Sequence, residues 1–147
     1  MESREKERYV KIKLHSSIRH PGLDEEKHEV NAKGLLIEKA GKSYLKYEEQ
    51  QSGNSVQTIV KLDSANALIM RRGAVTMRLP FVKAGERPGT YGSGPATFDL
   101  VVKTEKLDFT ENEDRSGGRF NVIYDLLAEE SLLGTYNLTI TYTEGTI

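Results

Sequence analysis

The stretch "RFNVIYDLLAEESLLGTYNLTITYTE", residues 119–144, decides the reading of the whole chain. Its second half alternates strictly. Tyr136, Leu138, Ile140 and Tyr142 share one face, and Thr135, Asn137, Thr139, Thr141 and Thr143 share the other. A period of two is the mark of a strand with one buried face. The first half alternates as well, which makes the pair a hairpin closing the chain. At its centre "YDLLAEESLLG" allows one helical turn at most. Two phenols on an otherwise apolar face leave two readings open. One is a packed core with partnered hydroxyls; the other is a cavity with polar handles.

The same period recurs upstream. Val10, Ile12 and Leu14 share a face opposite lysines, and Leu45 pairs in parity with Tyr47. Val56, Thr58, Val60 and Leu62 follow, then Val75, Met77, Leu79 and Phe81. Phe98, Leu100 and Val102 form one set, and the alternation slips before Leu107 and Phe109. The slip predicts a bulge or corner near Thr104 to Lys106, as a curving sheet needs. Pro80 hints at an edge or bulge. Gly73, in the hairpin "MRRGAVTM", suits the left-handed conformation of a three-residue loop.

Residues 1–8 are mostly charged and are expected to be a frayed arm, with residues 9–147 forming one domain. "SIRHPGLDEEKHEVNAKG" is polar, holds Pro21-Gly22 and reads largely as loop, with a strand beginning near Glu29. "KAGERPGTYGSGP" reads as a long irregular loop. No stretch keeps a helical period over three turns. The result is an all-β domain of about 8–10 short strands. Sequential hairpins favour an up-and-down meander, and closure into an antiparallel barrel removes exposed edges.

Composition narrows function further. The chain has 147 residues, enough for one sizeable core. Its 21 basic and 22 acidic side chains give no global pull toward nucleic acid or a membrane surface. With no cysteine, disulfides, thiolate metal sites and thiol catalysis are excluded. The charged start and the lack of any apolar run long enough for a membrane span make the cytoplasm the default location.

Several phrases taken in order, "YLKYEE", "TIVKL", "MRRGAVTMRLPF", "VIYDL" and "LTITYTEG", resemble the YwiB-like family of small bacterial proteins. The resemblance runs from about Ile12 to the C-terminus. It implies a calycin-like barrel, related in architecture to lipocalins and fatty-acid-binding proteins, in a bacterial cytoplasmic protein. It brings no catalytic residues. The chain has no tryptophan and so lacks the Gly-x-Trp signature typical of lipocalins. A lipocalin's ligand habit therefore does not transfer from fold alone.

Motif by motif, the chemistry stays sparse. His15, His20 and His28 flank Asp24, Glu25 and Glu26, but their spacing fits no tight metal motif, and the stretch reads as a solvated loop. "TENEDRSGG" lacks the pattern of a calcium loop and reads as a hairpin tip. "PGTYGSGP" precedes a strand rather than a helix, so its glycines read as turn residues rather than a phosphate cradle. No nucleophile elbow occurs, and Glu48-Glu49 carries little information in so acidic a chain. No catalytic residue, metal or cofactor is implied. Arg71, Arg72 and Arg78 form the densest basic cluster, and arginine pairs bidentately with carboxylates.

The reading is a binding module for a small amphiphilic or anionic ligand in the barrel interior. Tyr47, Tyr124, Tyr136 and Tyr142 are its lining, and Arg71 and Arg78 its anion partners. The alternative is an interaction barrel with a filled core, acting through its outer face as a homodimer. Val101, Ile123 and Leu127 point outward by parity and would form that surface.

Overall fold

The computed structural model describes residues 6–51 and 53–145. They form ten strands and no helix: β1 (Lys6–Arg19), β2 (Glu26–Lys39), β3 (Lys42–Gln51), β4 (Asn54–Leu62), β5 (Asn66–Arg72), β6 (Val75–Val82), β7 (Glu86–Ser93), β8 (Ala96–Glu111), β9 (Gly117–Ala128) and β10 (Ser131–Glu144). Each strand pairs antiparallel with its sequence neighbours, and β1 pairs with β10 to close the barrel. Closure is extensive, running from Val10 opposite Glu144 to Arg19 opposite Thr135. It removes most of the free edges that an open sheet would expose.

Alternation builds the interior. Phe81, Phe120, Leu45, Val60, Val102, Leu107, Val122 and Ile140 are all fully buried. Each such side chain contributes about 1.5–3 kcal/mol by leaving water. The slip foreseen in β8 is a bulge. Thr104 faces Tyr124 and Lys106 faces Ile123, so Glu105 has no partner. The extra residue keeps Val102 and Leu107 both inside despite their odd separation. Pro80 lies opposite Leu68 of β5, beyond Arg78, where the β6–β7 ladder ends. A residue without an N–H is tolerated there because no ladder bond is asked of it.

Four expectations change. First, the polar stretch after Ser16 is not mostly loop. β1 and β2 pair from Lys6 opposite Glu38 to Ile18 opposite Glu26, leaving only a short turn at 20–25. Polarity misled because Glu26–Asn31 of β2 are exposed, so no apolar alternation marks them. Second, "ERPGTYGS" is β7, not loop. Its Gly89 has no room for a side chain: a Cβ would sit 2.8 Å from Arg78 O and 3.0 Å from Val102 Cγ2. The glycine permits close strand approach. Third, Gly73 is not left-handed. A Cβ there would lie 2.7 Å from Ser55 O, so space on β4 is what demands glycine. Fourth, Glu129-Glu130 forms no helical turn. Both have positive φ, 50° and 68°, between Ala128 and Ser131, which face each other. That is a two-residue hairpin turn of type I′.

The charged stretch 1–8 divides. Lys6–Arg8 belong to β1, and Met1–Glu5 lie outside the described residues.

Candidate functional site

The two ends of the barrel differ. At one end, β1 starts and β2, β8 and β10 finish, and charged groups seal the interior. Arg8 Nη2 donates to Glu38 Oε1 at 2.6 Å, and Arg115 lies 3.9 Å from both Glu38 and Glu111. Beneath them Tyr142 is buried, its hydroxyl without a hydrogen-bond partner. Burial raises its phenol, Glu111 and Glu38 add to the rise, and Arg8 and Arg115 oppose it.

The other end is open. β2 pairs with β3 only from Gly34 opposite Tyr47 to Lys39 opposite Lys42, while its first half stays on β1. The wall therefore parts above Gly34. Glycine is required at this fork, since a Cβ would lie 2.5 Å from Lys46 O and 3.0 Å from Tyr47 Cβ. Inside the parting is a cavity of about 430 Å³. Leu14, Ile18, Ile69, Leu79, Leu126 and Leu138 give it apolar walls.

Three of its polar groups come from one row across the sheet. Tyr47 faces Thr58, Thr58 faces Arg71, and Arg71 faces Met77. Because side chains alternate, residues paired across strands point the same way. Arg71 Nη2 donates to Glu49 Oε2 at 3.1 Å, with both side chains largely buried. Thr58 Oγ1 is buried with no well-formed hydrogen bond. Across the cavity Tyr124 faces Tyr136 in register, and the rings stack at 5.1 Å between centroids and 9° between planes. Tyr124 also packs on Phe81 at 4.8 Å. His20 meets the outer edge of Tyr136 and contacts Leu133 O through Nδ1 at 3.0 Å.

The phenols are held neutral. Burial raises Tyr47, Glu49's charge adds to the rise, and Arg71 and the neighbouring Thr58 hydroxyl oppose it. Burial raises Tyr124, Tyr136 adds to it, and Arg71 again opposes. Burial alone raises Tyr136. At neutral pH these hydroxyls can therefore donate hydrogen bonds without carrying charge.

Of the residues singled out in the sequence, Tyr47, Arg71, Tyr124 and Tyr136 line this cavity. Tyr142 belongs to the sealed end. Arg78 is exposed on the outer face, opposite Met70 and Thr90, and does not reach the interior. Glu49 and Thr58 were missed as site residues. The signal for both is parity: Glu49 shares a face with Leu45 and Tyr47, and Thr58 interrupts the Val56–Val60 face. The three histidines separate. His15 lies 3.9 Å from Glu29 on the outer wall, His20 packs at the turn, and His28 stands at the cavity rim. Among the described residues no three His, Asp or Glu side chains gather as a metal cluster. Among the described residues no helix is long and apolar enough to cross a membrane.

Fold and site together define a closed ten-stranded up-and-down barrel, sealed at one end and hollow at the other. The chain belongs to the family described as "Domain of unknown function (DUF1934)", matched over residues 12–140. It is 31% identical over 136 residues to the "Uncharacterized beta-barrel protein YwiB" of Bacillus subtilis (strain 168), covering 92% of this chain and 94% of that protein. The crystal structure of the YwiB protein from Bacillus subtilis is similar with a TM-score of 0.83 at 30% identity, over 95% of this chain and 94% of that one. The resemblance carried by the ordered phrases thus holds along most of the chain.

Proposed function

We propose that this protein is a binding module that takes a small amphiphile into the open end of its barrel. The observation that carries this reading is the cavity of about 430 Å³, which sets Leu14, Ile18, Ile69, Leu79, Leu126 and Leu138 beside the Arg71–Glu49 pair. Ligand sites are concave, mainly apolar and oriented by a small number of placed polar groups, in the range of about 300–1,000 Å³. The parting between β2 and β3 is the entrance. The cytoplasm is the proposed location, because the chain carries no cysteine to use an oxidising compartment.

Native mass spectrometry tests the reading. Protein purified from a bacterial host should show an added small mass that denaturing extraction removes. Met77→Trp, which fills the cavity, should abolish the added mass. A clean apo mass, with no change in melting temperature across a lipid and metabolite panel, would reject it.

One observation favours a second reading, a homodimer through the outer wall. Pro88, Val101, Leu127 and Leu132 face one another in register across β7, β8, β9 and β10. Val101 and Leu132 are 39% and 43% exposed, which makes an apolar row on the outer face. Ile123 lies farther along β9, opposite Lys106, and Leu127 stands within the row. Leu132→Lys should then convert a dimer to a monomer in sedimentation, and a monomer for both proteins removes this reading.

A further inference from the structure

We infer that the cavity selects a monocarboxylate headgroup, which binds Arg71 in place of Glu49. The inference rests on the cavity being a ligand site and adds the chemical class of its ligand.

Three donors converge at the polar end of the cavity. They are the Arg71 guanidinium, the Tyr47 phenol and the Thr58 hydroxyl, adjacent in one row across β3, β4 and β5. Thr58 is 2% exposed, and its hydroxyl makes no well-formed hydrogen bond, only a weak interaction with the Tyr47 phenol. Among the described residues, the guanidinium's hydrogen bonding is a single contact from Nη2 to Glu49 Oε2 at 3.1 Å. Arginine's planar fork is shaped for two parallel bonds to a carboxylate. Glu49 therefore supplies the right chemical group through an incomplete geometry. It reaches Arg71 from the end of β3, where the wall parts from β2. A ligand carboxylate entering by that opening can take both arms of the fork and accept from Thr58, while Glu49 turns toward solvent.

The charge count favours a monoanion. Arg71 carries one positive charge that Glu49 now balances, so once Glu49 turns away a single carboxylate restores that balance, whereas a dianion would leave one charge uncompensated. Volume sets the tail. At about 30 Å³ for each water-sized group, the cavity holds roughly fourteen such groups, which suits a medium-length chain.

Calorimetric titration of the full chain with decanoate, decanol and decyltrimethylammonium tests this. Decanoate should bind at least about tenfold more tightly than the other two, the gain expected of a charge-assisted pair. Glu49→Gln should tighten decanoate by about tenfold and leave decanol unchanged, because the competing carboxylate is gone. The double variant Arg71→Met, Glu49→Gln removes both charges without stranding either. It should keep decanol binding and lose the preference for decanoate. Equal affinities for decanoate and decanol would overturn the headgroup assignment while the cavity reading stands. Preference for the cation would overturn it in favour of Glu49 as the anchor. Binding of none of the three would overturn both.

Discussion

Tyr142 and Tyr47 share the inward face of the barrel, yet their hydroxyls meet different surroundings. Tyr47 stands beside Thr58 and Arg71 in a hollow, while the Tyr142 ring packs against Gly118, where a Cβ would lie 2.6 Å from its hydroxyl oxygen. A buried hydroxyl without a partner forfeits its hydration for nothing. Tyr142→Phe should therefore be neutral or stabilising by about 1 kcal/mol in urea unfolding. A loss of that size would mean the hydroxyl is satisfied in solution. Gly73 provides a second test. Because Ser55 O and Val56 Cα already crowd its Cβ position at 2.7 and 3.1 Å, Gly73→Ala should cost about 1–3 kcal/mol by overpacking. Its measure is the same unfolding midpoint, and an unchanged value would mean that β4 yields freely. A left-handed glycine would predict a similar loss for another reason, so Gly41→Ala is the comparison. Gly41 has φ of 78° and open space around it, and its cost should be only the backbone term, about 1 kcal/mol.

Elements obey the same rule of space and parity. Glu105 is the unpaired residue that lets β8 keep both halves of its apolar face inside. Deleting it would turn Leu107 and Phe109 outward, or else Leu100 and Val102. At about 1.5–3 kcal/mol for each large side chain, the loss should be about 3–6 kcal/mol, whereas Glu105→Gly should change stability by about 1 kcal/mol or less. Equal melting temperatures for the deletion and the substitution would refute the bulge. The β9–β10 turn is a weak joint of the opposite kind. Glu129 and Glu130 both sit at positive φ, which side chains disfavour by about 1–2 kcal/mol each. Replacing them by Asn-Gly should raise the melting temperature by roughly 2–8 °C, provided no glutamate contact is lost. A lower melting temperature would exclude a type I′ turn. These two features also show what was legible. The bulge could be read because apolar residues bracket it on both sides and their spacing must add up. β7 could not be read, because its inward face is Arg87, Gly89, Tyr91 and Ser93, of which only Gly89 is buried, so no apolar alternation is there to see. The first half of β2 was hidden by exposure on both faces. Within the site, the tyrosines and Arg71 stood out by residue type, while Glu49 and Thr58 needed the strand parity to be taken literally. Arg78 drew attention only because it is near Arg71 in sequence, and one step of alternation puts it outside.

Across the whole molecule the barrel is packed at one end and hollow at the other, and buried phenols mark both regions. Tyr47 and Tyr124 border the cavity, and Tyr142 lies under the ion-paired seal. Each has its phenol raised above the usual value, chiefly by burial. The consequence for stability has a definite sign. In the unfolded chain a phenol loses its proton near pH 10, while the native barrel keeps these three protonated to higher pH. Below about pH 10 both states hold the protons, so the groups add no pH dependence. Above it the unfolded state binds fewer protons than the native state, and stability falls as pH rises. The fall should continue until the native phenols themselves ionise. Urea midpoints should thus be flat across neutral pH and drop steeply above about pH 10. Tyr142→Phe should make that drop shallower by removing one of the protons that the native state retains. The chain has seven tyrosines and no tryptophan, so phenolate absorbance can be followed without overlap from indole. A fraction of that absorbance should appear only together with loss of the native circular dichroism. If all the phenolate signal develops while the barrel is still folded, the three phenols are open to solvent. The packed end and the polar border of the cavity would then both be misplaced.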